Sequence, residues 1–150
     1  MKDGQSSGIV ILRTQTDVSA LAGGLFEETF GDPPPADGVH YLAVEPGGNQ
    51  AFTVAGYYHV THRDEYALVG GLCVAAAYRR RGIAELLERE AMKFPEAACA
   101  FFAYVGNPAR ALRVGFQPTA HQHLYVQWVG EVTEESRARI VARAHAEGPF

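Results

Sequence analysis

The sequence has little cysteine, no long apolar run, no surplus of positive charge and no internal repeat, and each shortage removes a class of protein. Cys73 and Cys99 are the only cysteines, both lie in apolar runs, and neither belongs to a Cys-x-x-Cys pattern. A disulfide framework and a thiolate metal site are therefore not expected, and both read as small buried hydrophobes. No apolar stretch approaches the ~18 residues of a membrane-spanning helix. The segment Met1-Lys2-Asp3-Gly4-Gln5-Ser6-Ser7-Gly8 lacks the apolar centre of a secretory leader, so a cytoplasmic protein without membrane contact is expected. A net charge of -4 argues against a general nucleic-acid binder. With no repeat, linker or low-complexity tract, residues 1–150 read as one domain, its core over about 8–130 and a C-terminal helix over about 133–147.

What is present is distributed unevenly. Between Arg79 and Arg113 seven Lys or Arg face four Glu, whereas the rest of the chain carries 6 basic and 13 acidic side chains. A basic patch on an acidic body suits a small anionic ligand better than a long polyanion. At its heart, the apolar run Gly70-Gly71-Leu72-Cys73-Val74 leads through Ala75-Ala76-Ala77-Tyr78 into Arg79-Arg80-Arg81-Gly82. Beyond Gly82, Ile83, Leu86, Leu87, Ala91 and Phe94 recur at helical spacing. The arginines thus sit at a helix N-terminus, where the unpaired N–H groups already carry about half a positive charge and each added cation costs about 0.3–1 kcal/mol. A diphosphate docked on those N–H groups removes the conflict, with Gly82 admitting its oxygens to the backbone. The alternative is a solvated, arginine-rich loop.

Arg79-x-x-Gly82-x-Ala84, between a strand and a Leu-rich helix, resembles the acetyl-CoA-binding motif of the GNAT superfamily of N-acetyltransferases. Tyr104-Val105-Gly106-Asn107-Pro108 and Gly115-Phe116 are similar, in order and spacing, to the family's next segment. The resemblance covers roughly residues 8 to 130. It implies an α/β (α+β) three-layer domain, with a mixed, mostly antiparallel central sheet flanked by helices. It also implies an acetyltransferase that moves an acetyl group from acetyl-CoA (CoA) directly to an amine of a small molecule or to an exposed amino group. Arg79, Arg80, Arg81, Gly82, Ile83 and Ala84 would hold the diphosphate. Leu72, Cys73 and Val74 would meet the pantetheine arm and thioester, the N–H of Val74 polarising the carbonyl, and Asn107 would bond the pantetheine amides. Neither cysteine need act as a nucleophile.

One departure stands out. The family's usual thiolate acid is a tyrosine between the Asn and the Gly-Phe, and here Pro108-Ala109-Arg110-Ala111-Leu112-Arg113-Val114 contains none. Tyr104 is the nearest replacement. For the base, His59, His62, Asp64, Glu65 and Tyr66 cluster before one predicted strand, while Glu27, Glu28 and His40 flank the first helix; His59 and Glu28 are the candidates. His121-x-His123 would put two imidazoles on one strand face without a third ligand type nearby, so no metal is expected. A non-catalytic CoA-binding sensor and a phosphate-binding regulatory domain remain alternatives, and a homodimer is open.

The remaining pattern predicts strands over Gly8–Thr14, His40–Val44, Ala51–Thr61, Tyr66–Val74, Ala97–Val105 and His123–Val129. Helices are predicted over Val18–Phe30, with Leu21, Leu25 and Phe26 facing inward, over Pro108–Arg113, and over Thr133–Ala146. Glu45 to Gln50 reads as a hairpin turn and Gly115 to Pro118 as a turn. Gly70-Gly71 marks a bulge or a close backbone approach. The proline-rich stretch Gly31 to Gly38 is a stiff loop, either bordering a substrate cleft or merely connecting two elements.

Overall fold

A computed structural model describes residues 8–47, 51–93 and 98–150. Phe94, Ala97 and the Gly48 to Gln50 part of the predicted hairpin turn lie outside the described residues. The elements are β1 (Val10–Thr14), α1 (Ser19–Phe30), β2 (Val39–Pro46), β3 (Phe52–His62) and β4 (Tyr66–Val74), then a single 3-10 turn at Ala76–Tyr78. There follow α2 (Ile83–Ala91), β5 (Ala100–Tyr104), α3 (Pro108–Arg113), β6 (Gln117–Pro118), β7 (Leu124–Trp128) and α4 (Glu134–Ala146). The seven strands run in the order β1-β2-β3-β4-β5-β7-β6. β4 and β5 are parallel, and the pairs β1–β2, β2–β3, β5–β7 and β6–β7 are antiparallel, so the sheet is mixed as the sequence implies.

The chain forms two compact units. The first extends to Val60 and resumes at Gly71 with the end of β4 and α2. Asp17 accepts hydrogen bonds from the amide of Ser19, at 2.8 Å, and from its hydroxyl, which opens α1. Val18, Ala22 and Phe26, four residues apart, are the positions buried against Leu42, Val44, Tyr57 and Cys73. The predicted face is corrected here, because Leu21 is 50% exposed while Ala22 is fully buried, the small alanine bringing the helix close to the sheet. Along β2 and β3 the register slips at Ala43/Val44, leaving Ala55 unpaired; its carbonyl instead accepts the Ala75 amide at 2.8 Å. That bond anchors the exit of β4, where the arginine segment begins. Next to it, a Cβ on Gly56 would lie 3.0 Å from Leu87 and 3.1 Å from Ile83, so the glycine lets α2 lie directly on β3. Ile83, Leu87 and Ala91 are buried and Leu86 half-buried, following the predicted face.

The second unit comprises Thr61–Gly70 and the chain after α2. Its core joins Tyr66 and Leu68 of β4, Ala100 and Phe102 of β5, and Leu124 and Val126 of β7 with Ile140 and Ala144 of α4. The C-terminal helix therefore packs on its own sheet. Thr133 caps it by accepting the Ser136 amide at 3.2 Å, while Arg139 and Arg143 both pair with Glu65. Three expectations change in this unit. Gln117–Pro118 is a short strand against β7 rather than a turn, since the Gln117–Pro118 backbone registers with Val126 and Tyr125. Cys99 precedes β5 instead of lying within it, its amide donating to the Glu65 carbonyl at 2.5 Å. His121 and His123 do not share a strand face: both lie in the turn before β7, where His123 has φ 68° and His121 stacks on His145.

Candidate active site

In the first unit, the candidate site begins at Gly71 in the last part of β4. Gly71 has φ 69°, and a Cβ there would come within 2.8 Å of Phe26 Cε2, so the predicted close approach is real and glycine is required. The bulge itself lies between β2 and β3. Leu72 and Val74 are half-buried, and Cys73 is buried. Burial lifts the Cys73 thiol to about 11, against a smaller opposing effect from the Thr29 hydroxyl. A neutral thiol at physiological pH is a poor nucleophile, in keeping with direct transfer.

The arginine segment holds two exposed residues, Arg79 and Arg80, and a half-buried one, Arg81; Arg79 and Arg81 have side-chain partners. Arg79 donates from Nε to the Val74 carbonyl at 3.1 Å. Arg81 lies over the Tyr78 ring, 5.0 Å from its centroid, with an Nη 3.9 Å from a Glu45 oxygen. Tyr78 donates its hydroxyl to the other Glu45 oxygen at 2.5 Å, which raises the phenol above its ordinary range. Glu45, read in sequence as a turn residue, thus organises two side chains of the segment. Arg80 is exposed and adopts φ 66°, a left-handed conformation that non-glycine residues seldom take.

Gly82 follows as the N-cap of α2, with φ 76° and no side chain capping the helix. A Cβ placed on it would meet no atom within 4 Å. The first-turn N–H groups of α2 therefore open onto space that glycine keeps clear, beside a run of guanidinium groups. This is the arrangement that accepts phosphate oxygens, and residues Arg79 to Ala84 fit a diphosphate.

The base candidates separate. Glu28 is exposed on α1, and no hydrogen bond or ion pair joins it to His59 among the described residues. His59 is buried on β3, its Nε2 held 2.6 Å from the Asp37 carbonyl. The proline-rich loop is thereby tied to the sheet. Beside His59, at a ring separation of 5.2 Å, lies the fully buried His40, whose Nδ1 is 2.7 Å from the Tyr57 hydroxyl. Burial pushes His40 below the usual imidazole range; the neighbouring His59 acts in the same direction, whereas Asp17, the Ala36 carbonyl and Asp37 oppose it. Burial raises Tyr57 as well, so the pair is neutral at physiological pH. The cross-strand pairing of His40 with His59 is the sequence signal that identifies this cluster, visible once the hairpin register is known.

In the second unit, Tyr104 ends β5 half-buried, its ring edge-on to Phe150 at 4.8 Å, and its hydroxyl has no hydrogen-bond partner among the described residues. Asn107 caps α3, its Oδ1 accepting the Arg110 amide at 3.3 Å, which leaves the amide nitrogen as the group able to meet a ligand. No cluster of His, Cys, Asp or Glu suited to a metal occurs among the described residues.

The family model described as acetyltransferase (GNAT) family matches residues 11–116. The chain belongs to the GNAT acetyltransferase family. A GNAT acetyltransferase from Brucella melitensis, solved with acetyl-CoA, is 15% identical with a TM-score of 0.63, the match covering 83% of this chain and 90% of that one. The GNAT N-acetyltransferase YhbS of Escherichia coli, solved with CoA, is 16% identical with a TM-score of 0.60 over 80% of this chain and 81% of its own. NAA60 of Arabidopsis thaliana, solved with a bisubstrate analogue, is 19% identical with a TM-score of 0.57, over 81% of this chain and 100% of that one. At such identities these likenesses concern the fold. No curated protein matches the sequence. Among the described residues no helix is long and apolar enough to cross a membrane.

Proposed function

We propose that this GNAT acetyltransferase uses acetyl-CoA and transfers the acetyl group directly to an amine of a small molecule or to an exposed amino group. The observation that carries this reading is the uncapped N-terminus of α2, kept open by Gly82 and directly preceded in the chain by Arg79, Arg80 and Arg81. The family match runs through residues of both compact units, which supports treating them as one acyl-CoA-binding domain. Two free cysteines suit a reducing compartment such as the cytoplasm.

Acetyl-CoA supplies the activated thioester. In this reading the Arg79–Ala84 backbone and guanidinium groups hold its diphosphate, the Leu72–Val74 edge of β4 orients the pantetheine arm, and the Val74 N–H polarises the carbonyl. In the second unit, Asn107 is the group that the family resemblance offers to the pantetheine amides, through its amide nitrogen. Also in the second unit, Tyr104, whose hydroxyl is unengaged among the described residues, is the candidate for returning a proton to the departing sulfur. The amine must lose a proton before attack; Glu28, exposed, exchanges it with solvent, while His59 needs to release the Asp37 carbonyl to take part.

Calorimetric titration of acetyl-CoA into the protein tests the coenzyme site. Binding is expected, and Arg81→Glu or Gly82→Val should abolish or strongly weaken it; no heat, or unchanged affinity in both variants, rejects the site. A second reading, a CoA-binding sensor without turnover, is favoured by one feature: α3 carries no tyrosine where the family places its acid. Thiol release against an amine library separates the two. Sustained turnover, reduced in kcat with little change in KM by Tyr104→Phe, supports the enzyme, and coenzyme binding without turnover supports the sensor.

A further inference from the structure

Every residue that lines the cavity of the second unit comes from positions 117 to 142, beyond the span matched by the family model. The cavity holds about 380 Å³, at the small end of the range for organic ligands. Its walls are β6, β7 and α4. Trp128, Val126, Val141 and Pro118 supply an apolar lining; Gln117, Thr119, His121 and Arg137 supply the polar groups, of which Arg137 is the one permanent charge.

Arg137 is fixed in place twice. Its Nε donates to the Val132 carbonyl at 3.1 Å, and the guanidinium lies over the Trp128 indole, 4.9 Å from the ring centroid. Both Nη atoms, the paired donors of the guanidinium fork, lack partners among the described residues. Trp128 is held in turn by its edge-on contact with Phe102, at 6.1 Å. His121 is clamped by face-to-face stacking on His145, with ring centroids 3.7 Å apart and planes 11° apart, while its ring nitrogens make no hydrogen bond among the described residues. No aspartate or glutamate lines the cavity, although the chain as a whole has a charge of -4. Arg137 is half-buried with its Nη donors open to solvent, and a carboxylate would replace water on the fork in bidentate fashion. The indole and the valines suit a flat apolar body beside it.

We propose that this cavity is a second ligand site, taking a small, flat, apolar carboxylate of one or two rings, with the carboxylate on the Arg137 fork and the ring body against Trp128. The site is independent of the coenzyme reading, since it shares no residue with it.

Trp128 is the only tryptophan in the chain, so its indole N–H resonance reports this cavity alone. Naphthoate is titrated into the full-length protein by heteronuclear NMR, with uncharged naphthamide as the comparison. Naphthoate should move that resonance saturably, and naphthamide should bind about tenfold more weakly, the difference that losing a charged hydrogen-bonded pair makes. Arg137→Gln should lower naphthoate affinity to that of naphthamide and leave naphthamide unchanged. If Arg137→Gln does not fold, the acid-to-amide ratio in the unaltered protein decides. An unmoved resonance, equal affinity for acid and amide, or self-association that naphthoate cannot displace and that covers Trp128 would each overturn the proposal.

Discussion

Gly82→Ala and Gly130→Ala form a matched pair that isolates ligand binding from backbone strain. Gly82 has φ 76° and Gly130 has φ 69°, and a Cβ on either would meet no atom within 4 Å. Neither substitution creates a clash, so each should cost only the left-handed conformation, about 1–2 kcal/mol for a non-glycine residue. For a chain of this size that lowers the melting temperature by about 2–8 °C. Stability should therefore fall by similar amounts in both variants, measured by denaturant unfolding. Affinity for acetyl-CoA should diverge: the methyl on Gly82 occupies the space through which phosphate oxygens reach the α2 amides, whereas Gly130 lies in the loop between β7 and α4. A loss of affinity of about tenfold or more is expected for Gly82→Ala, equivalent to one charged hydrogen bond, and none for Gly130→Ala. Equal affinities in the two variants would refute the assignment of Gly82 to the diphosphate, whatever happened to stability.

Three other outcomes follow from packing and charge. Gly71→Ala places a Cβ 2.8 Å from Phe26 in a left-handed conformation and should cost about 2–4 kcal/mol by chemical denaturation, overpacking adding to backbone strain. Leu87→Ala removes a fully buried side chain from α2 and should cost about 2–5 kcal/mol, leaving a cavity beneath the helix that carries Gly82. His40, held neutral in the folded state, resists protonation that the unfolded chain accepts. Its contribution is complete above the unfolded pKa near 6.5, and is lost as pH falls from there through the depressed folded value. Unfolding midpoints between pH ~5 and ~7 should therefore show a shallower decline in His40→Phe than in the unaltered protein, if that variant folds.

Periodicity made the sheet and its helices legible because their burial is one-sided. The stretch from Ile83 to Ala91 repeats its apolar residues at helical spacing, and Ile83, Leu87 and Ala91 among them are buried, together with Glu88, which the apolar pattern does not reveal. Pro108–Arg113 is bounded by a capping Asn and by Gly115, so its limits are local chemistry and match in the structure. Leu21 shows where pattern is insufficient. Both Leu21 and Ala22 are apolar, and the choice between them depends on how closely Phe26 and Tyr57 approach, a packing distance that no local spacing encodes. β6 failed for a related reason: two residues ending in proline carry no alternation, and their strand character comes from pairing with β7.

The candidate site divides along the same line. Gly82 and the arginines were visible because a cation run before a helix is locally unfavourable, and only a ligand or solvent relieves it. Which guanidinium groups remain available was not visible, since that depends on Glu45, a residue of the β2 end brought to Tyr78 and Arg81 by the fold. Arg80 emerges as the distinctive member of the three. Arg79, also exposed, is bonded to Val74 and Arg81 is balanced by Glu45, whereas Arg80 alone of the three is held in the left-handed region, at φ 66°. A strained, exposed cation two residues before the N-cap of an uncapped helix is solvated when no ligand is bound, and an anion on the first-turn amides would give it a charge partner. Relieving that strain with Arg80→Gly would stabilise the chain while removing a charge. It should therefore raise unfolding free energy as it weakens coenzyme binding, and a variant that gained both would show that Arg80 does not face the diphosphate.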